Sequence, residues 1–177
     1  VSALPLGIRV LWREVPAGAP PRSVSRALLS DALPGARFVS RCPACGGAHG
    51  RVRVEGADAA VSVSYASGWA IVAVNDRGHR IGVDAVPAGA DGLERVLTAD
   101  GRRPPGDPAL RWARVEAVLK ADGRGLAVDP ARVEVALDAA GWRARIRGEG
   151  AAGDWRGWDV DGPAGLVVAV AASSPEP

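Results

Sequence analysis

The chain has 177 residues, 47% of them hydrophobic, and a formal net charge of +2, with a mean hydropathy of +0.04. That suits one folded domain, or two small halves around a shared core, and the charge is too small to argue for nucleic acid by itself. Periodic apolar segments persist despite 23 Gly and 14 Pro, which excludes a collagenous or disordered chain, and no apolar run approaches the ~18 residues of a membrane span. No basic-then-apolar leader pattern opens the chain, so a cytoplasmic protein without a membrane or nucleic-acid partner is expected.

Residues 7–15 alternate well enough for a first strand. A Pro-rich turn over 16–21 follows, and Ser23 can cap a helix over 24–32, with Arg22 and Arg26 near its start. In the next stretch Cys42, Cys45 and His49 have a spacing that invites a zinc reading, but a closed site needs a fourth ligand. With only two cysteines and one other histidine, His79, a structural loop is expected; a redox dithiol lacks the strand that would precede it. Residues 59–64, 70–74 and 81–86 read as three strands of a small antiparallel meander, with turns at Gly68 and at Arg77-Gly78. Asp84 falls near the end of the third strand. Spacing alone favours a strand-end cap there over a cation ligand.

Residues 87–108 are linker-like, with one amphipathic turn over 93–97. The sequence then predicts a helix over 108–122: Asp107 is a good N-cap, Pro108 suits the first helical position, and Gly123 suits a left-handed C-cap. Trp112, Val115, Val118 and Leu119 form its apolar stripe, and Glu116 and Lys120 lie side by side on the border. Ala113 and Ala117 next to them leave open space, so the two charges can face a cleft. The alternative is an exposed i,i+4 pair worth about 0.3–0.5 kcal/mol. Lys120 is the only lysine among 22 basic residues, which favours a task that a planar guanidinium does less well. Strands follow at 132–137, 142–146, 155–159 and 166–172, and 173–177 should be a frayed tail. The halves 1–86 and 87–177 share a helix-then-strands layout, which suggests an internal duplication in an α+β fold.

Four stretches taken together resemble a known family. They are CPACGGAHGRVR from Cys42, the SVSY, GW and GVDA segments between Val61 and Ala85, the W-x-x-x-E-A-x-x-K-A-x-G-x-G-L run from Trp112, and the closing GLVVAVAA. Their order and spacing are similar to those of the 4′-phosphopantetheinyl transferase superfamily, in its larger pseudo-dimeric branch. The resemblance implies a pseudo-two-fold pair of halves, each a helix packed on a mainly antiparallel sheet, working as a monomer. It also implies a reaction in which coenzyme A lies between the halves and a serine of an acyl or peptidyl carrier protein attacks its β-phosphate, releasing adenosine 3′,5′-bisphosphate. Asp84 and Glu116 would hold magnesium (Mg2+), Glu116 would take the serine proton, and Lys120 would neutralise the departing phosphate. Arg26 and Arg51 would hold phosphates of the coenzyme, with Ser64 and Tyr65 as hydrogen-bond donors.

Three positions depart from the family pattern: Tyr65 stands for a histidine, Val52 for a proline, and Val86 for the second acid of an Asp-x-Glu pair. They support a second reading, a non-catalytic relative that binds coenzyme A or a carrier protein. A small zinc module on Cys42, Cys45 and His49 is a third.

Overall fold

The structure, a computed structural model, describes residues 2–42, 45–48, 50–93, 106–148 and 153–173. His49, the turn expected over 93–97 beyond Leu93, and the tail beyond Ser173 lie outside the described residues. The fold is α+β, with two α-helices among the described residues packed on antiparallel sheets. Strands β1 (Ser2–Leu4), β2 (Ile8–Glu14), β5 (Ala60–Ala66) and β6 (Trp69–Asn75) form a first sheet in the order β1-β2-β6-β5. Strands β7 (Ile81–Pro87), β8 (Val133–Asp138), β9 (Gly141–Ile146), β10 (Asp154–Val160) and β11 (Leu166–Ser173) form a second, ordered β7-β11-β10-β9-β8. Strands β3 (Arg37–Ser40) and β4 (Val52–Glu55) pair separately and flank the cysteine loop.

The layers follow from the period-2 burial of the strands. On β6, Ala70, Val72 and Val74 meet helix α1 (Pro21–Ala32) through Val24, Leu28 and Leu29. Ile71 and Ala73 on its other face join Ile8 and Val10 against Val83, Val168 and Val170 of the second sheet. Helix α2 (Pro108–Asp122) covers the far side of that sheet with Ala113, Val118 and Leu119. The order is therefore helix, sheet, sheet, helix. No helix among the described residues is long and apolar enough to cross a membrane.

The caps of α2 match the sequence. The Asp107 side chain accepts from the Ala109 N–H at 2.9 Å, and Gly123 closes the helix at φ 92°. Helix α1 starts earlier than expected: Pro20 is its N-cap and Pro21 occupies the first position, where a missing N–H costs nothing. Ser23 lies inside the first turn and its hydroxyl donates to the Pro20 carbonyl at 2.7 Å.

Two further expectations are corrected. Only β5 and β6 form the meander, joined by a tight turn at Ser67 and Gly68, while β7 leaves it and pairs with β11 from Ile81↔Ala172 to Pro87↔Leu166. Residues 81–86 are buried on both faces, a burial that an edge strand of the first sheet alone could not provide. Ala113 and Ala117 do not border open space: both are fully buried against β7. A Cβ on Gly82 would collide with the Ala117 carbonyl and the Ala121 nitrogen, so helix and strand touch backbone to backbone there.

Candidate active site

The close approach of α2 to β7 sets the geometry of the site. On β7, Gly82, Asp84 and Val86 alternate toward α2, so Asp84 is a buried mid-strand carboxylate and not a strand-end cap. Across the short gap, the Lys120 Nζ donates to the Val83 carbonyl at 3.1 Å and to Asp84 Oδ1 at 2.6 Å. Lys120 therefore pairs with the strand. Among the described residues no ion pair joins it to Glu116, so the i,i+4 pair is not formed. On the opposite border of α2, Arg114 makes a two-pronged pair with Asp159 of β10, which also accepts from Trp142 Nε1 at 3.0 Å and fixes the rotation of the helix.

Asp84, Glu116 and Lys120 open onto a cleft of about 430 Å³, walled by Ser64 and Tyr65 of β5 and by Trp112 of α2. Glu116 is half-buried and makes no hydrogen bond or ion pair with a described residue. Burial, then the Asp84 carboxylate, pushes its carboxyl above the ordinary range, and Lys120 opposes the shift.

Ser64 and Tyr65 are both in the cleft wall, with their protons engaged inside the protein. The Ser64 hydroxyl donates to Asp84 Oδ1 at 2.9 Å. Ser25 Oγ lies 2.7 Å from the Tyr65 hydroxyl and donates its own proton to the Arg22 carbonyl at 3.1 Å, so Tyr65 is the donor of that pair.

Arg51 lies in a neighbouring cavity of about 280 Å³, which shares Lys120 with the cleft and is lined also by Gly50, Gly123 and Gly125. Its Nη1 donates to the Ala121 carbonyl at 3.4 Å; burial, then Arg80 and Arg53, lower its pKa, which marks a crowded cationic corner. Arg26 lines neither cavity. It donates to Ser40 Oγ at 2.8 Å, and its Nη1 is buried without a hydrogen-bond partner among the described residues. Burial, then the neighbouring Arg22, lowers its pKa, against the pull of Tyr65.

Ser25 and Ser62 also belong to the surroundings of the site, beside Tyr65 and β7. Both are buried, and Ser62 accepts the Val83 N–H at 3.0 Å. The signal was present in VSVSY, where serines alternate with valines along one strand.

The two carboxylates on the cleft, Asp84 and Glu116, are oxygen donors of the kind that magnesium takes. Among the described residues no three His, Cys, Asp or Glu side chains gather as metal ligands. Magnesium takes oxygen ligands, keeps several waters and is commonly held by one or two carboxylates, and Glu116 has no hydrogen bond or ion pair with a described residue.

Residues 80–171, just over half of the chain, match the family model of the 4′-phosphopantetheinyl transferase superfamily. The matched span holds Asp84, Glu116 and Lys120 and stops short of Arg26, Arg51, Ser64 and Tyr65. No curated protein matches the chain.

Proposed function

The chain belongs to the 4′-phosphopantetheinyl transferase superfamily, and on that premise we propose that it moves the 4′-phosphopantetheine group of coenzyme A to a serine of an acyl or peptidyl carrier protein. The reading includes dependence on Mg2+ and membership of the larger pseudo-dimeric branch, with halves 1–86 and 87–177 acting as one monomeric unit. Its main support is the meeting of Asp84 with Glu116 and Lys120 in one cleft, from a strand of one half and a helix of the other.

In the proposed reaction the serine oxygen bonds to the β-phosphorus, and the bond to the 5′-phosphate of adenosine 3′,5′-bisphosphate breaks. Glu116, made more basic by burial and by Asp84, accepts the serine proton. Lys120 reaches both the cleft and the cavity of Arg51, so its ammonium can offset the charge that develops on the departing phosphate. Arg51 anchors phosphate from the cavity side, and Arg26 adds positive charge near Tyr65. Asp84 orients Lys120 through the 2.6 Å contact. A bound magnesium ion would neutralise diphosphate charge and would be held by Asp84 and Glu116.

Intact-mass spectrometry of a panel of apo carrier proteins, incubated with coenzyme A and magnesium, tests the reading. At least one carrier should gain the mass of a single phosphopantetheine. If none does, while a control transferase modifies the same panel, the enzyme reading falls. The alternative is a non-catalytic relative that binds coenzyme A or a carrier protein. It is favoured by Val86, which sits in the α2 core where a third carboxylate would be needed. Calorimetry with coenzyme A would then show binding without transfer.

A further inference from the structure

We propose that Ser64 is a positioning residue for Asp84, holding one carboxylate oxygen from across the seam between the sheets so that the other is presented to a divalent cation. The inference rests on the reading of Asp84 as a metal-facing carboxylate. β5 ends the first sheet and β7 begins the second, and no backbone ladder joins them. Serine hydroxyls do so instead: Ser62 Oγ accepts the Val83 N–H at 3.0 Å and Ser64 Oγ the Ala85 N–H at 3.3 Å. Both serines are buried, at 8% and 5% exposure, and both satisfy a strand-edge donor that would otherwise be orphaned.

They differ in one bond. Ser64 also donates to Asp84 Oδ1 at 2.9 Å, and Lys120 donates to the same oxygen at 2.6 Å. Two donors on different elements, β5 and α2, thus converge on Oδ1, and Oδ2 has no hydrogen bond with a described residue. A carboxylate fixed through one oxygen cannot rotate freely about its side-chain torsions, so Oδ2 keeps its orientation before any ligand arrives. Ser62 does the same seam work without touching Asp84, which makes it an internal control.

Four full-length proteins decide the matter: wild type, Ser64→Ala, Ser64→Thr and Ser62→Ala. Manganese, in place of magnesium, is titrated by electron paramagnetic resonance. Because Lys120 is the only lysine, isotope-labelled lysine gives a single Nζ signal that reports on Asp84 without metal. Both alanine variants should melt lower, since each leaves an N–H of β7 unaccepted. Only Ser64→Ala should weaken manganese binding, by about 10-fold, and shift the Lys120 signal; Ser64→Thr should restore both. Unchanged affinity and signal in Ser64→Ala, or equal losses in Ser62→Ala, overturn the proposal. If the wild type holds no manganese, the magnesium reading of the function fails separately. The Lys120 signal then decides the positioning role alone: a shift confined to Ser64→Ala sustains it and no shift overturns it.

Discussion

Helix α1 lies on the first sheet through Val24, Leu28 and Leu29, whereas α2 adds to Val118 and Leu119 a row of alanines, Ala113, Ala117 and Ala121, with Gly82 beneath the last two. Leucines act as spacers, and charged residues on the border of α1 stay away from β6. Arg26 finds Ser40 on the separate two-stranded sheet, and Arg22 is exposed. Alanines on a glycine bring the helix backbone onto the strand, so the four-carbon stem of Lys120 reaches both a strand carbonyl and Asp84. The depth of helix packing thus decides whether a border charge remains solvated or joins a site.

The strongest way to break this comparison is to change the spacer on each side. Gly82→Ala places a Cβ into the backbone of α2, where nothing can give way as a flexible side chain would. Overpacking of this kind should cost about 3 kcal/mol, a fall in melting temperature of roughly 10 °C for a chain this long. Leu29→Ala should cost a similar ~2–5 kcal/mol through a cavity under α1. The two should differ in function: per folded molecule, Gly82→Ala should lose most of its turnover because Lys120 is displaced, and Leu29→Ala should lose little. Equal turnover losses would show that helix depth does not set the site.

Charge removal sharpens the contrast. Lys120→Ala should lower turnover by about 100-fold, near 2.7 kcal/mol of transition-state stabilisation, with a smaller loss of coenzyme A affinity. Lys120→Arg should recover part of the rate, since a planar guanidinium cannot make both the Val83 and Asp84 contacts in the same way. On α1, Arg26→Ala should reduce turnover by less than about 10-fold, the scale expected of one charge removed outside both cavities. Kinetics of the three variants with one carrier protein would check the order, and near wild-type turnover in Lys120→Ala would limit the residue to its structural pair with Asp84.

Both ends of α2 were legible because caps are local: Asp107, Pro108 and Gly123 act within one turn. The boundaries of the eight expected strands fell within one or two residues, whereas the short strands β1, β3 and β4 were not expected. The partner of β7 was not legible. Its pairing with β11 spans about half of the chain, and an apolar strand fits either sheet until the whole stack is assembled. Local periodicity placed Glu116 and Lys120 together on a helix border but could not give the helix its depth. Ala113 and Ala117 were therefore read as open space when they are the contact surface. Asp84 looked like a cap because its buried neighbours come from α2 and β5, remote in sequence.

The smallest expected effect concerns Glu116, whose carboxyl is held above its ordinary value of 4.5 by burial and then by Asp84. Between 4.5 and that raised value the folded chain binds more protons at Glu116 than the unfolded chain does. Stability must therefore fall as pH rises through that window, and the full cost persists above it. Below the window the group is neutral in both states and costs nothing. Glu116→Gln has no charge to bury, so its stability relative to wild type should be unchanged in acid and should rise with pH. The gain should level off at no more than about 1 kcal/mol, since a half-exposed group is screened by solvent; that corresponds to ~2–4 °C in paired melts. The same variant should lose turnover, because an amide cannot accept the serine proton. If wild type instead gains on Glu116→Gln as pH rises, the ionised carboxylate is stabilised by Lys120. In that case the attraction of Lys120 outweighs the burial of Glu116 and the repulsion of Asp84.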